Sequence, residues 1–335
     1  MVKRKVVTFG EVMMRFSPPG YAKFSQATTV ELAYGGGEAN VAISLAYFGL
    51  EAFHITCFPD NLVGRSATQY LRHHWLHTKY ITYGEGRMGK YFLEKGAVHR
   101  PSEVVYERDN SAFSKIKPGT FDWKRILRNA DWFHWTGITP GISENAAESL
   151  RQAIQVANEV GVPVSVDVHS RKNLWQYGKD KTEVMPKLVQ GCDVVIASPY
   201  DMQENLGVAN ENDDLQAASE KLKEKFPRVQ KVVDKKRETL SASHNRIQGF
   251  IWNDKEVLTS PSFDVTHIVD RVGTGDAYAA GMIYGLLNLQ DDQKAVDFAA
   301  AACSLKHTVE GDANVISAEA VNSLVQGNTS GRIKR

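Results

Sequence analysis

At 335 residues the chain is too long for a lone small module, yet near the ~250–300 residues at which one hydrophobic core stops growing, so one large domain with a small appendage is expected. Hydrophobic residues at 42%, charged residues at 24% and ordinary Gly and Pro numbers exclude disordered, fibrous and coiled-coil classes. Forty Lys and Arg against 39 Asp and Glu leave a net charge of +1, which gives no electrostatic reason to expect nucleic acid or an anionic membrane as partner.

Apolar runs of strand length begin at Val6 to Phe9 and recur at Phe53 to Phe58, Trp132 to Thr136, Val162 to Val168, Val194 to Ala197 and Val229 to Val233. Helix-period segments fall between and after them, at Glu38 to Tyr47, Ser66 to Leu76, Glu144 to Glu159, Leu215 to Lys225, Thr274 to Leu287 and Gln293 to His307. That rhythm predicts an α/β fold whose parallel strands are covered on both faces by helices. Two stretches break it, roughly 13–33 and 90–108, where alternation such as Val104, Tyr106 predicts antiparallel ribbons forming a lid. Residues 1–325 therefore read as one domain with that lid, and the polar, basic stretch 326–335 as a frayed tail. Cys57, Cys192 and Cys303 lack metal or disulfide spacing, and no run reaches the ~18 apolar residues of a membrane span. A cytoplasmic protein without a leader is expected.

Three glycine-rich segments compete for a phosphate. Gly84-Glu85-Gly86-Arg87-Met88-Gly89-Lys90 has nucleotide-loop spacing, but Tyr91 stands where a Ser or Thr is needed and a strand follows, so a turn is expected. Tyr34-Gly35-Gly36-Gly37-Glu38-Ala39-Asn40 leads into a helix and alone decides nothing. Asp270-Arg271-Val272-Gly273-Thr274-Gly275-Asp276 is read as following a strand at Thr266 to Val269 and opening the apolar helix Ala277 to Leu287. Its glycines let the first N–H groups of the helix face an anion. A carboxylate there either favours the helix dipole or accepts a proton from a hydroxyl that attacks phosphorus.

Gly35-Gly36-x-x-x-Asn40 early and Gly273-Thr274-Gly275-Asp276 late, in that order and separation, resemble the paired signatures of the ribokinase/PfkB carbohydrate kinases. Gly10-Glu11-Val12-Met13-Met14-Arg15, Arg100-Pro101-Ser102, Val105-Tyr106-Glu107-Arg108 and Leu305-Lys306-His307-Thr308 are similar to the 2-keto-3-deoxygluconate kinase branch. The resemblance implies a ribokinase-like three-layer sandwich with a central, mostly parallel sheet and a β lid that pairs copies into a homo-oligomer. It also implies ATP with Mg²⁺ and transfer to the primary hydroxyl of a sugar acid. By the family pattern Asp276 is the base, with Gly273, Thr274 and Gly275 around the anion hole. Gly35, Gly36 and Asn40 hold sugar hydroxyls, and Tyr91, Tyr106, Arg108 and Arg171 face the sugar acid.

Departures lie mostly on the nucleotide side. Ser198-Pro199-Tyr200-Asp201 stands where the family has Asn-x-x-Glu, which makes Ser198 a nucleotide-side position and Asp201 the candidate metal ligand. Asp234-Lys235-Lys236-Arg237 follows the strand where a Thr is common; Lys235 and Arg237 fit either a phosphate grip or a solvated edge. Asp167-Val168-His169-Ser170-Arg171 keeps the ends of a family Asp-x-Asn-x-Arg and loses its Asn. Two other readings stay open: a sugar-acid binder with weak or no phosphoryl transfer, and a kinase for a neutral ketose or nucleoside.

Overall fold

The structure, a computed structural model, describes residues 3–171, 173–210 and 212–329. Six parallel strands form the spine, in the spatial order Lys231–Ser241, Val194–Ile196, Val164–Asp167, Trp132–Thr136, Lys5–Phe9 and Glu51–Ile55. Alternate residues of each strand face opposite ways, so one strand feeds two cores. Val6, Trp132, Val194 and Val233 pack under the helices Gly37–Tyr47, Thr274–Asn288 and Asp292–Lys306. Val7, Phe133, Val195 and Val232 pack under Glu144–Glu159, Lys181–Val189, Pro199–Leu206 and Leu215–Lys225. The expected three-layer α/β sandwich is what forms. Burial on both faces explains why these strands read as continuous apolar runs. No helix among the described residues is long and apolar enough to cross a membrane.

Several local expectations need correction. The strand expected to end at Val233 continues to Ser241 and returns as His244–Trp252, an antiparallel hairpin with a register shift between Thr239 and Ser241. The strand expected at Thr266 to Val269 is instead Phe263–Val265, paired with the hairpin. The lid is a four-stranded sheet ordered Glu31–Gly35, Met13–Ser17, Lys90–Glu94, Glu103–Glu107. It is not antiparallel throughout: Met14 pairs with Lys90 in parallel register, because the chain returns to the lid only after the crossover through Glu51–Ile55 and Leu62–His73. Residues 330–335 of the expected tail lie outside the described residues.

Candidate active site

All six spine strands run the same way, so Glu11, Thr136, Asp167, Ser198 and Asp234 gather at or just beyond one edge of the sheet. Ligands of open α/β sheets bind outside such carboxyl ends. Two helices open there, Gly37–Tyr47 and Thr274–Asn288, with Gly36 and Gly273 as N-caps and no side-chain cap on either. Every other described α-helix of eight residues or more has an Asn, Asp or Ser that caps it. The start at Gly273 therefore keeps backbone donors for something other than the protein's own side chains, while in the earlier helix the Glu38 N–H turns to its own carboxylate.

Asp276 sits in the first turn of the later helix and accepts a 2.7 Å hydrogen bond from Asn40 Nδ2 of the earlier one. Burial lifts its pKa to about 7, the Asn40 bond opposes the lift, and the charges of Asp167, Asp312 and Glu38 add to it. A carboxyl poised near neutrality beside backbone donors is suited to exchange a proton with a reacting hydroxyl.

The ground under this pair is close-packed. Glu38 is buried, and its Oε1 accepts from Thr136 N at 3.1 Å, Thr136 Oγ1 at 2.8 Å and Thr139 Oγ1 at 2.6 Å, which fixes the helix start to the strand end. Loss of water raises the Glu38 pKa against those bonds. A Cβ on Gly35 would lie 1.9 Å from Asp312 Oδ2, and one on Gly36 would lie 2.1 Å from the Glu11 carbonyl, so this loop packs its backbone directly on its neighbours.

The lid is clamped to the same place. Buried Arg15 donates from Nη1 to Asp312 Oδ1 and from Nη2 to Asp270 Oδ2, both at 2.7 Å. Tyr91 donates its hydroxyl to Asp312 Oδ2, and its ring lies 5.7 Å from that of Tyr106. Arg108 uses Nε and Nη2 on Glu11 Oε2, while Glu11 Oε1 is buried without a hydrogen-bond partner among the described residues. Arg171 is exposed on the loop after Asp167 and makes no side-chain hydrogen bond or ion pair among the described residues.

On the other side of the anion loop, Lys235 lies 5.5 Å over the Tyr278 ring, and a Cβ on Gly275 would be 3.6 Å from its Nζ. Arg237 is exposed two residues further along the hairpin. Arg271 donates to the carbonyls of Ser241 and Ala242, tying the hairpin turn to the anion loop. Ser198 and Asp201 form a capping box: Ser198 N and Oγ donate to Asp201 Oδ2, and Asp201 N donates back to Ser198 Oγ. That S-x-x-D spacing before Met202 is a capping signal.

The fold thus brings Gly35, Gly36, Asn40, Gly273, Thr274, Gly275 and Asp276 together, with Lys235 beside them and Tyr91 linked through Asp312. Arg171 and Arg237 stay exposed, and neither makes a side-chain hydrogen bond or ion pair among the described residues. Glu11, Arg15, Glu38, Asp312 and Lys306 were not legible as site residues, although a charged residue closing the small apolar helix Asp292–Lys306 was a signal available for Lys306.

A family model described as pfkB family carbohydrate kinase matches residues 3–319. The chain is 29% identical over 327 residues to a 2-dehydro-3-deoxygalactonokinase of Haloferax volcanii, covering 98% of each. It is 28% identical over 313 residues to a 2-dehydro-3-deoxygluconokinase of Thermoproteus tenax, covering 92% of this chain and 89% of that one. Among solved structures, a 2-dehydro-3-deoxygluconokinase from Thermotoga maritima superposes with a TM-score of 0.92 at 42% identity, covering 97% of this chain and 100% of that one. Because the matched stretch carries both uncapped helix starts, the lid and the whole central sheet, the chain belongs to the pfkB family of carbohydrate kinases.

Proposed function

We propose that this kinase transfers the γ-phosphoryl group of ATP to the primary hydroxyl of a sugar acid, with 2-keto-3-deoxygluconate as the best candidate. The observation that carries the reading is the pairing of two uncapped helix starts through Asn40 and Asp276, whose pKa stands at about 7. The names of the relatives support the substrate class. In this reading Asp276 accepts the hydroxyl proton as oxygen attacks phosphorus, and the N–H groups from Gly273 to Gly275 receive the charge that develops on the phosphoryl oxygens. Gly35, Gly36 and Asn40 hold sugar hydroxyls. Lys235 and Arg237, with the Ser198 edge, attract the remaining phosphates; neither cation has a carboxylate partner within ion-pair distance among the described residues.

Mg²⁺ fits the carboxylates present, though not as an all-protein cage. Burial lifts the Asp234 pKa to about 6, its bonds and charge pairing with Lys235 oppose the lift, and Asp201 and Asp167 add to it. No group of three or more metal-ligating side chains stands close together among the described residues. Mg²⁺ keeps several waters and takes one or two carboxylates together with phosphates. Asp201, with Asp167 and Asp234 nearby, would hold it, and its chemistry would be to neutralise phosphate charge. Copies are proposed to pair through the lid, where Leu32, Val104 and Val105 are exposed.

Two results are expected. As a base, Asp276 must be ionised, so kcat/KM should fall about tenfold per pH unit below pH ~7; a profile flat down to pH 5 would remove it from that role. Arg108 leaves its Nη1 edge for a substrate carboxylate while Glu11 holds the rest of the guanidinium. Arg108→Ala should weaken an acid substrate by roughly 1.5–3 kcal/mol, the range for charged hydrogen bonds, and a neutral sugar much less. Equal losses on both would favour the neutral-sugar reading. ADP release measured over a panel of sugar acids, ketoses and nucleosides tests the substrate class: turnover confined to ketoses or nucleosides rejects it.

A further inference from the structure

Lys306 is fully buried at the end of the helix Asp292–Lys306, yet no carboxylate lies within ion-pair distance of it among the described residues. Its Nζ donates instead to two backbone carbonyls of the loop that follows, Gly311 at 2.8 Å and Val309 at 3.1 Å. Burying an ammonium is costly unless its surroundings repay the lost water. The C-terminal end of the helix dipole contributes here. Burial lowers the Lys306 pKa, and the fields of Asp270, Asp312 and Asp276 oppose that lowering while Arg15 adds to it.

The loop that Lys306 grips is one wall of the anion hole. Gly311 N donates to Asp270 Oδ2 at 3.2 Å, and the Asp312 carbonyl stands where a Cβ on Gly273 would be 2.0 Å away. The same imaginary Cβ would be 3.4 Å from Lys306 Cε, so the lysine stem runs directly behind Gly273. Asp312 also holds Arg15 and Tyr91 of the lid. One buried cation therefore underlies the anion loop, the base and the lid clamp.

We propose that Lys306 is a built-in cation whose ammonium, held by the Val309 and Gly311 carbonyls, positions the anion hole and adds a fixed positive charge behind it. It touches no reacting atom and acts through Gly273 and Asp312. Around Asp276 the charged groups among the described residues are Asp167, Asp312 and Glu38 on the negative side and Lys306 on the positive side, with Lys235 beside the neighbouring Gly275. Removing Lys306 should therefore move the acidic limb of the pH profile upward.

The inference rests on the kinase reading, and the wild type assayed in parallel separates the two: a wild type without phosphoryl transfer fails that reading, whatever Lys306 does. Lys306→Met, which keeps the stem and removes the charge, should fold and lose on the order of 10²-fold in kcat, the scale of one lost anion-hole donor. Its KM for sugar should change little, and its acidic limb should rise. In Lys306→Ala, about 0.1 M ammonium should restore activity at least about tenfold, whereas tetramethylammonium at the same ionic strength should not. The wild type should respond to neither. Should Lys306→Met fail to fold, the thermal midpoint of Lys306→Ala decides: a rise specific to ammonium supports the cation site, and equal midpoints in both salts overturn it. A folded Lys306→Met with normal kcat and an unmoved pH limb, or a wild type that responds to ammonium as the variant does, also overturns it.

Discussion

Asp276→Asn is expected to lower turnover by on the order of 10²–10⁴ while sugar binding and folding stay nearly intact. The asparagine keeps the side chain's shape and an acceptor for Asn40 Nδ2, so the bond between the two helix starts survives. What it loses is the ability to take a proton. The same substitution removes a carboxyl whose pKa burial has raised to about 7, and the sign of the stability effect follows. A group whose pKa is raised on folding stabilises the fold while protonated, and that stability is lost as pH climbs through the folded pKa. Compared with wild type, Asp276→Asn should therefore gain in thermal midpoint above pH ~7 and lose that gain as pH falls toward 4. Near-normal turnover in the folded variant would reject Asp276 as the base. A large loss of sugar affinity at unchanged kcat would make it a binding residue instead.

The second large effect separates two glycines that the sequence presents as equals. Gly273 has φ 77°, in the left-handed region, and a Cβ there would meet the Asp312 carbonyl at 2.0 Å. Backbone strain of this kind costs roughly 1–3 kcal/mol before the clash is counted, and the Asp312 backbone with the buried Lys306 stem beside it leaves little room to relax. Gly273→Ala should lower the thermal midpoint clearly and cut kcat by about 10²-fold or more through the displaced N–H donors. Among the described residues a Cβ on Gly275 would meet only Lys235, at an ordinary 3.6 Å. Gly275→Ala should fold with a midpoint near wild type, and its loss should appear in ATP affinity and turnover, where the methyl group crowds phosphate. Calorimetry together with ADP release distinguishes the two. Similar midpoints for both variants would show that the Gly273 wall yields more easily than its packing indicates.

Why one part of this site was legible and another was not follows from where its information lies along the chain. Gly273 to Asp276 is a local signal, because a helix that starts on glycine without a side-chain cap can be read within a few residues, whereas Gly35 to Asn40 decides nothing alone and is marked as a site only by its resemblance, in order and separation, to a paired family signature. The six spine strands were legible because burial on both faces writes them as continuous apolar runs. The long hairpin was not, since Asp234 to Glu238 places five charged residues in a row on a strand that leaves the core. Periodicity has nothing apolar to follow there. The polar scaffold was hidden for another reason: Arg15 meets Asp312 across 297 positions, and Arg108 meets Glu11 across 97. No spacing rule reaches that far. Ser198 and Asp201 show how a local signal can be passed over, since the pair forms a capping box in the place that the resemblance assigns to Asn-x-x-Glu.

The central claim is that a sugar acid receives a phosphoryl group at its primary hydroxyl with Asp276 taking the proton, and phosphorus NMR of the reaction mixture tests it most directly. With ATP, Mg²⁺ and 2-keto-3-deoxygluconate, the wild type should convert ATP into ADP and an equal amount of a phosphomonoester whose signal is split by two methylene protons. The Asp276→Asn variant should leave ATP unchanged over the same time. Appearance of ADP with inorganic phosphate alone, or no transfer from a wild type that binds the sugar acid, would contradict the account.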